Sequence, residues 1–203
     1  MASPSVVLWD IGGVLLSNGW EEAFRRTAAE RFGYDAEEYE RRHAPLDAAY
    51  ERGEITLDRY LDQVLFYEPR PFSRREYIEY MFACTTAHPE TIALAERVRA
   101  TDAVFTGCLN NEGREFNEFR IARFGLYRLF TTFFSSCYTG RRKPDPAAYQ
   151  LVLDVLRRPP ADVLFIDDRA ENLTPARALG MQTIHYQDAA QLERDLARLG
   201  VSS

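Results

Sequence analysis

Hydrophobic and polar positions follow one pattern near the start of the chain, a second up to about Pro89 and a third beyond it. Val6, Val7, Leu8 and Trp9 form a continuous apolar run, the mark of a short strand buried on both faces. Asp10 ends it, and Gly12 and Gly13 come next. From there the apolar residues take helical spacing. Over 20–32, Trp20, Phe24, Ala28 and Phe32 recur every fourth position. Similar patterns predict helices over 37–50, 57–66 (with Leu61, Val64 and Leu65 on one side) and 74–82. Gly53 marks the break between the helices over 37–50 and 57–66, with Thr56 placed to cap the latter. Pro69-Arg70-Pro71 forces an extended link, and Ser73 can cap the next helix. No strand pattern occurs in this region.

After Pro89 strand and helix alternate. Helices are predicted over 91–100, 114–124, 147–156, 170–179 and 189–199, with strands over 103–109, 131–137, 163–166 and 182–186. Gly125 and Gly180 stand where helices end, and Pro146 where one begins. Such alternation implies right-handed βαβ units and a doubly wound parallel sheet. The first strand must join that sheet across the helical region. The expected layout is an α/β core domain, 1–16 and 90–203, with a helical cap domain, 17–89, inserted after strand one.

In a parallel sheet the C-terminal strand ends share one edge, where ligands bind. The ends here carry Asp10, Asn110-Asn111 and Asp167-Asp168, with Lys143 in a nearby loop. Three carboxylates and a lysine at one edge suit Mg²⁺ together with a phosphate: the cation takes hard oxygen ligands, and the ammonium is a compact partner for an anion. A carboxylate can also be a nucleophile, forming an aspartyl-phosphate. Singly, each residue has a plainer reading, as a turn aspartate, a surface lysine before proline or a helix-capping pair; together they form a constellation.

The stretches WDIGGVLL, Asn110-Asn111, GRRKPDP and FIDDRAENLTPARALGM resemble, in order, the four motifs of the haloacid dehalogenase-like (HAD) superfamily. The last is similar to the phosphatase domain of soluble epoxide hydrolases. The Gly-Gly form of the first and YERGEITLDRYLDQVL look more like bacterial α-glucose-1-phosphate phosphatases. The resemblance spans nearly the whole chain and implies a Rossmann-like core with a cap. It makes Asp10 the nucleophile. Mg²⁺ would be held by the Asp10 carboxylate, the Gly12 carbonyl and Asp168, with Asp167 behind them or as an alternate ligand. Lys143 would clamp phosphate and nucleophile, Asn110 and Asn111 would bind phosphate, and Asn172 would support the site by hydrogen bonding. Two positions depart from the pattern. Gly12 stands where most phosphatases of the superfamily carry a second Asp, the acid–base group. Asn110 stands where Ser or Thr is usual, with Thr106 the alternative inside the strand.

The reading is thus a Mg²⁺-dependent hydrolase removing phosphate from a small metabolite such as a sugar phosphate. Two alternatives stand beside it: a metal-independent dehalogenase-type hydrolase, and a catalytically weak phospho-ligand binding protein. Within the 203 residues, 25 Lys+Arg stand against 31 Asp+Glu, so no general attraction to nucleic acid is expected. Three separated cysteines without metal spacing, and no leader or membrane-length apolar run, predict reduced thiols in a soluble, cytoplasmic protein. Tyr50, Arg52 and Glu54 are read either as reaching the substrate or as a solvated helix end. Arg114, Arg120 and Arg123 are expected on a solvated face, and His43, His88 and His185 show no catalytic spacing.

Overall fold

The structure, a computed structural model, describes residues 3–201. The elements run β1 (Val6–Trp9), α1 (Glu22–Phe32), α2 (Ala36–His43), α3 (Asp47–Glu51), α4 (Leu57–Val64), α5 (Arg74–Ala83), α6 (Pro89–Ala100), β2 (Phe105–Asn110), α7 (Arg114–Phe124), β3 (Thr132–Ser135), α8 (Ser136–Thr139), α9 (Pro146–Leu156), β4 (Val163–Asp167), α10 (Ala170–Ala178), β5 (Gln182–His185) and α11 (Ala189–Arg198). The strands form one parallel sheet in the order β3-β2-β1-β4-β5. β1 is central, and the order reverses between it and β4, so a crevice opens beside the end of β1.

Alternation along β1 divides the core in two. Val7 and Trp9 pack with Leu164, Ile166, Leu94 and Leu192 on one face. Val6 and Leu8 pack with Phe165, Tyr149 and Val152 on the other. With both faces covered, the strand is apolar throughout. The helices from α1 to α5 have their own core of Tyr39, Tyr60, Leu61, Tyr77 and Met81, which Phe116 of α7 joins. Thr56 caps α4, and Ser73 forms a reciprocal capping box with Glu76 at the start of α5.

This helical insert leaves and re-enters the core through one neck. Outgoing Ser17 donates its N–H to the Thr86 carbonyl (2.8 Å), and returning His88 donates to the Leu15 carbonyl (2.8 Å). The neck places the helices over the crevice. Among the described residues, no helix is long and apolar enough to cross a membrane.

Two predicted elements differ. The helix over 37–50 is divided after His43, because Pro45 lacks an N–H and its ring would collide with the carbonyl one turn back. The strand over 131–137 stops at Ser135. Ser136 turns away to donate its hydroxyl to the Glu51 carbonyl (2.6 Å) while accepting the Glu112 N–H (3.0 Å).

Leu8 is fully buried at the centre of the sheet. Leu8→Ala is expected to cost about 2–5 kcal/mol through lost burial and a residual cavity, read as a lower urea midpoint at unchanged m-value.

Candidate active site

Strand register builds the centre of the site. Trp9 pairs with Ile166, so the next residues, Asp10 and Asp167, emerge side by side, and the Asp10 N–H donates to the Ile166 carbonyl (2.9 Å). Lys143 comes from the loop between α8 and α9. Asn111, just past β2, holds its backbone twice: the Asn111 amide donates to the Lys143 carbonyl (2.8 Å) and accepts the Lys143 N–H (2.9 Å). So held, the Lys143 ammonium lies 2.9 Å from Asp10 Oδ2 and 2.7 Å from Asp167 Oδ2, and is only 3% exposed.

Asp167 is fully committed. Besides Lys143 it accepts the Arg169 N–H (2.8 Å) and the Asn172 amide (3.0 and 3.1 Å). Asn172 is held in turn by Tyr149, whose hydroxyl donates to its carbonyl (2.6 Å). Asp168 differs. Its Oδ1 is buried without a hydrogen-bond partner, and its carboxylate lies against Gly13, where a Cβ would stand 2.2 Å from Oδ2. Gly13 (φ +75°) is required on both counts, the left-handed turn and the close approach.

Asp10, Asp167 and Asp168 each offer an oxygen within 4.8 Å of the others. One ammonium faces three carboxylates, so the centre is short of positive charge. Burial pushes the Asp10 carboxyl up to about 8; Lys143 pulls it down and the Asp167 carboxylate pushes it up again. Burial and the Asp167 charge also raise Asp168. An orphaned buried oxygen beside crowded carboxylates fits a divalent cation with oxygen ligands. Asp168 Oδ1 is unpartnered and Asp10 Oδ1 accepts only the Ile11 N–H (2.8 Å), so these two can turn an oxygen to it, while both oxygens of Asp167 are taken up by Lys143, Arg169 and Asn172.

The centre opens into a polar cavity of about 500 Å³ between the sheet edge and the inserted helices. A model of the haloacid dehalogenase-like hydrolases matches residues 4–180. The chain belongs to this family. HAD relatives sharpen the likeness. Bifunctional epoxide hydrolase 2 of Rattus norvegicus is 43% identical over 74 residues, which are 36% of this chain and 13% of that protein's length. Phosphatase MT3486 of Mycobacterium tuberculosis is 28% identical over 213 residues, 98% of this chain and 96% of its own. In fold, the chain superposes on the HAD family enzyme BT-2542 of Bacteroides thetaiotaomicron, solved with magnesium and inorganic phosphate. The TM-score is 0.78 at 18% identity, over 91% of this chain and 95% of that one.

Set in this HAD fold, most of the sequence-derived site residues converge. Asp10, Gly12, Asn111, Lys143 and Asn172 line the cavity, and Asp168 adjoins Asp10. Asn110 does not reach it. Its amide donates to Asn117 (3.0 Å) and accepts from Ser135 (2.8 Å), tying the ends of β2 and β3 to α7. Thr106 is also turned away, donating to the Leu129 carbonyl (2.7 Å) within the core.

Arg120 is not on a solvated face. It is 2% exposed and pairs with Glu112 (2.7 Å) in the cavity wall. The signal was its place one turn after Phe116 on α7, within the buried stripe. Tyr50 is buried against Gly113, and Arg52 and Glu54 pair with each other. The insert contributes Trp20, His43 and Arg25 to the cavity instead; the sequence placed Trp20 on an apolar helix face and His43 outside any catalytic spacing.

Lys143→Met leaves two buried carboxylates adjacent without their cation. It is expected to destabilise the fold by about 3–5 kcal/mol, measured by urea unfolding in metal-free buffer. An unchanged midpoint excludes Lys143 as the electrostatic centre.

Proposed function

We propose that this chain is a Mg²⁺-dependent phosphatase of small phosphorylated metabolites, working through an aspartyl-phosphate on Asp10. The observation that carries the reading is the Asp168 oxygen, buried and unpartnered beside a carboxylate that already meets a lysine. A HAD hydrolase attacking carbon without metal does not need two acidic residues at the end of β4, so Asp167-Asp168 counts against the dehalogenase alternative.

In this reading Asp10 Oδ2 attacks phosphorus, and the leaving oxygen departs into the cavity. Lys143 holds the nucleophile in line and offsets charge on the transferring group. Asn111 keeps Lys143 in place, and Asn172 with Asp167 keeps the ammonium from drifting. Bound Mg²⁺ would supply charge neutralisation at the phosphoryl oxygens, with Asp10, Asp168 and the Gly12 carbonyl as its protein ligands. Water then cleaves the aspartyl-phosphate and frees Asp10. Residues 17–89 act as the cap, and the cavity between cap and core sets the size of the substrate. Sugar phosphates fit its polar lining, since hydroxyl groups find both acidic and basic partners there.

The test is hydrolysis of p-nitrophenyl phosphate with Mg²⁺, with chelator, and with Asp10→Asn. Turnover is expected only when Mg²⁺ and Asp10 are both present, with no release of halide from 2-haloacids. Equal turnover in chelator defeats the metal assignment. Activity in Asp10→Asn defeats the nucleophile. No turnover at all, with phosphate still bound, identifies a binding protein.

A further inference from the structure

Cleavage of a phosphomonoester on Asp10 needs a proton for the departing oxygen, then a base for the attacking water. None of the three central carboxylates is free for this. Asp10 bonds to phosphorus, Asp167 is saturated by Lys143, Asn172 and the Arg169 N–H, and Asp168 faces the cation. Among the other acids of the cavity wall, Asp47 and Glu51 belong to α3 of the insert rather than to the core and share the single Arg142 guanidinium. Glu21, Glu22 and Glu171 are not buried, so water screens them.

Glu112 remains, and the core itself positions it. It directly follows Asn111, the residue that holds Lys143, and its N–H donates to Ser136 Oγ (3.0 Å). Its Oε2 accepts from Arg120 Nη1 (2.7 Å). Arg120 is fixed by the Ser17 carbonyl (2.5 Å) and by the Phe116 ring, 5.4 Å away. The pair stands on the side of the cavity that position 12 faces: a Cβ built on Gly12 would lie 3.8 Å from the same Nη1. Gly19 leaves room for the carboxylate, since a Cβ there would come within 2.7 Å of Oε2. Burial raises the Glu112 carboxyl, the Arg120 guanidinium and the Gly113 N–H lower it, and Asp47 raises it.

We propose that Glu112 is the general acid and base of this site, which rests on the aspartyl-phosphate reading above. As Asp10 Oδ2 bonds to phosphorus, the bond from phosphorus to the leaving oxygen breaks, and that oxygen takes the Glu112 proton. The Glu112 carboxylate next takes a proton from water, whose oxygen bonds to phosphorus as the Asp10–phosphorus bond breaks. Phosphate leaves, Asp10 is again a carboxylate and Glu112 a carboxylic acid. Arg120 is a positioning residue, acting through Glu112.

The test compares Glu112→Gln with wild type on an alkyl phosphate, whose leaving oxygen needs the proton, and on p-nitrophenyl phosphate, whose leaving group does not. Expected is a loss of about 10²–10⁴ in kcat/KM on the alkyl ester and less than about tenfold on the aryl ester. Gly12→Asp added to Glu112→Gln should restore part of the alkyl ester activity: a Cβ at position 12 lies in ordinary contact, 3.7 Å from Asn18 and 3.8 Å from Arg120. Equal losses on both esters in a folded variant, or no loss on either, overturn the proposal. If Glu112→Gln does not fold, wild type decides through a series of esters. A kcat/KM that hardly varies with leaving-group pKa shows that an acid of the protein protonates the leaving oxygen, as the Glu112 step requires, and a steep decline overturns it. Asp10→Asn keeps the two readings apart: its inactivity beside an unimpaired Glu112→Gln defeats Glu112 alone, and its activity defeats the aspartyl-phosphate.

Discussion

The Lys143 ammonium, buried between Asp10 and Asp167, is the contact on which the site depends. Two carboxylates brought together by strand register repel each other at short range in a poorly solvated place. The lysine allows β1 and β4 to end there side by side. The fold spends several secondary contacts on keeping it in position. Asn111 fixes its backbone, Asn172 and the Arg169 N–H fill the remaining acceptors of Asp167, and Tyr149 fixes Asn172. These contacts come from three separate stretches of the chain, around Asn111, Tyr149 and 169–172, so the centre exists only in the folded sheet. One positive charge still leaves the three carboxylates undercompensated, and the cluster therefore suits a divalent cation.

Much of this was legible in the sequence, for a physical reason. Strands of a parallel sheet are apolar along their length, and their first polar residue marks the edge where ligands bind. Asp10 and Asp167 follow from that rule, and the alternation of strand and helix after Pro89 follows from the βαβ unit. The polar residues that build the cavity wall fall outside that rule. Arg120 looks like a surface arginine until its partner Glu112 is seen, and that pairing spans a loop and two turns of α7. Asn110 shows the reverse error. Its type and place suited phosphate, but the side chain points back to Asn117 and Ser135, because a buried amide at a strand end needs partners whether or not a ligand comes. The break at Pro45 was also readable, as a missing donor within an otherwise helical pattern.

Glu112 and Arg120 join chemistry to architecture. The guanidinium that binds the Glu112 carboxylate also binds the carbonyl of Ser17, where the chain leaves for the helical insert. A residue of α7 thus touches the wall of the cavity and the root of the insert at once. Phe116, one turn earlier, packs into the insert's own core. The insert is therefore seated on α7 as well as joined at its two ends.

Those two ends carry a consequence of their own. Ser17 and Thr86 are hydrogen-bonded neighbours, so the sheet meets the whole excursion between them as it would meet a tight turn. Closing a loop costs little more when the loop is longer, and here the ends are already held together. Beyond this gate the insert touches the lysine loop again, because Arg142, next to Lys143, pairs with Asp47 and Glu51 of α3. The order of strands is therefore indifferent to how far the chain travels between its two ends, whereas the loop that carries Lys143 is not, and insert and loop have to match each other.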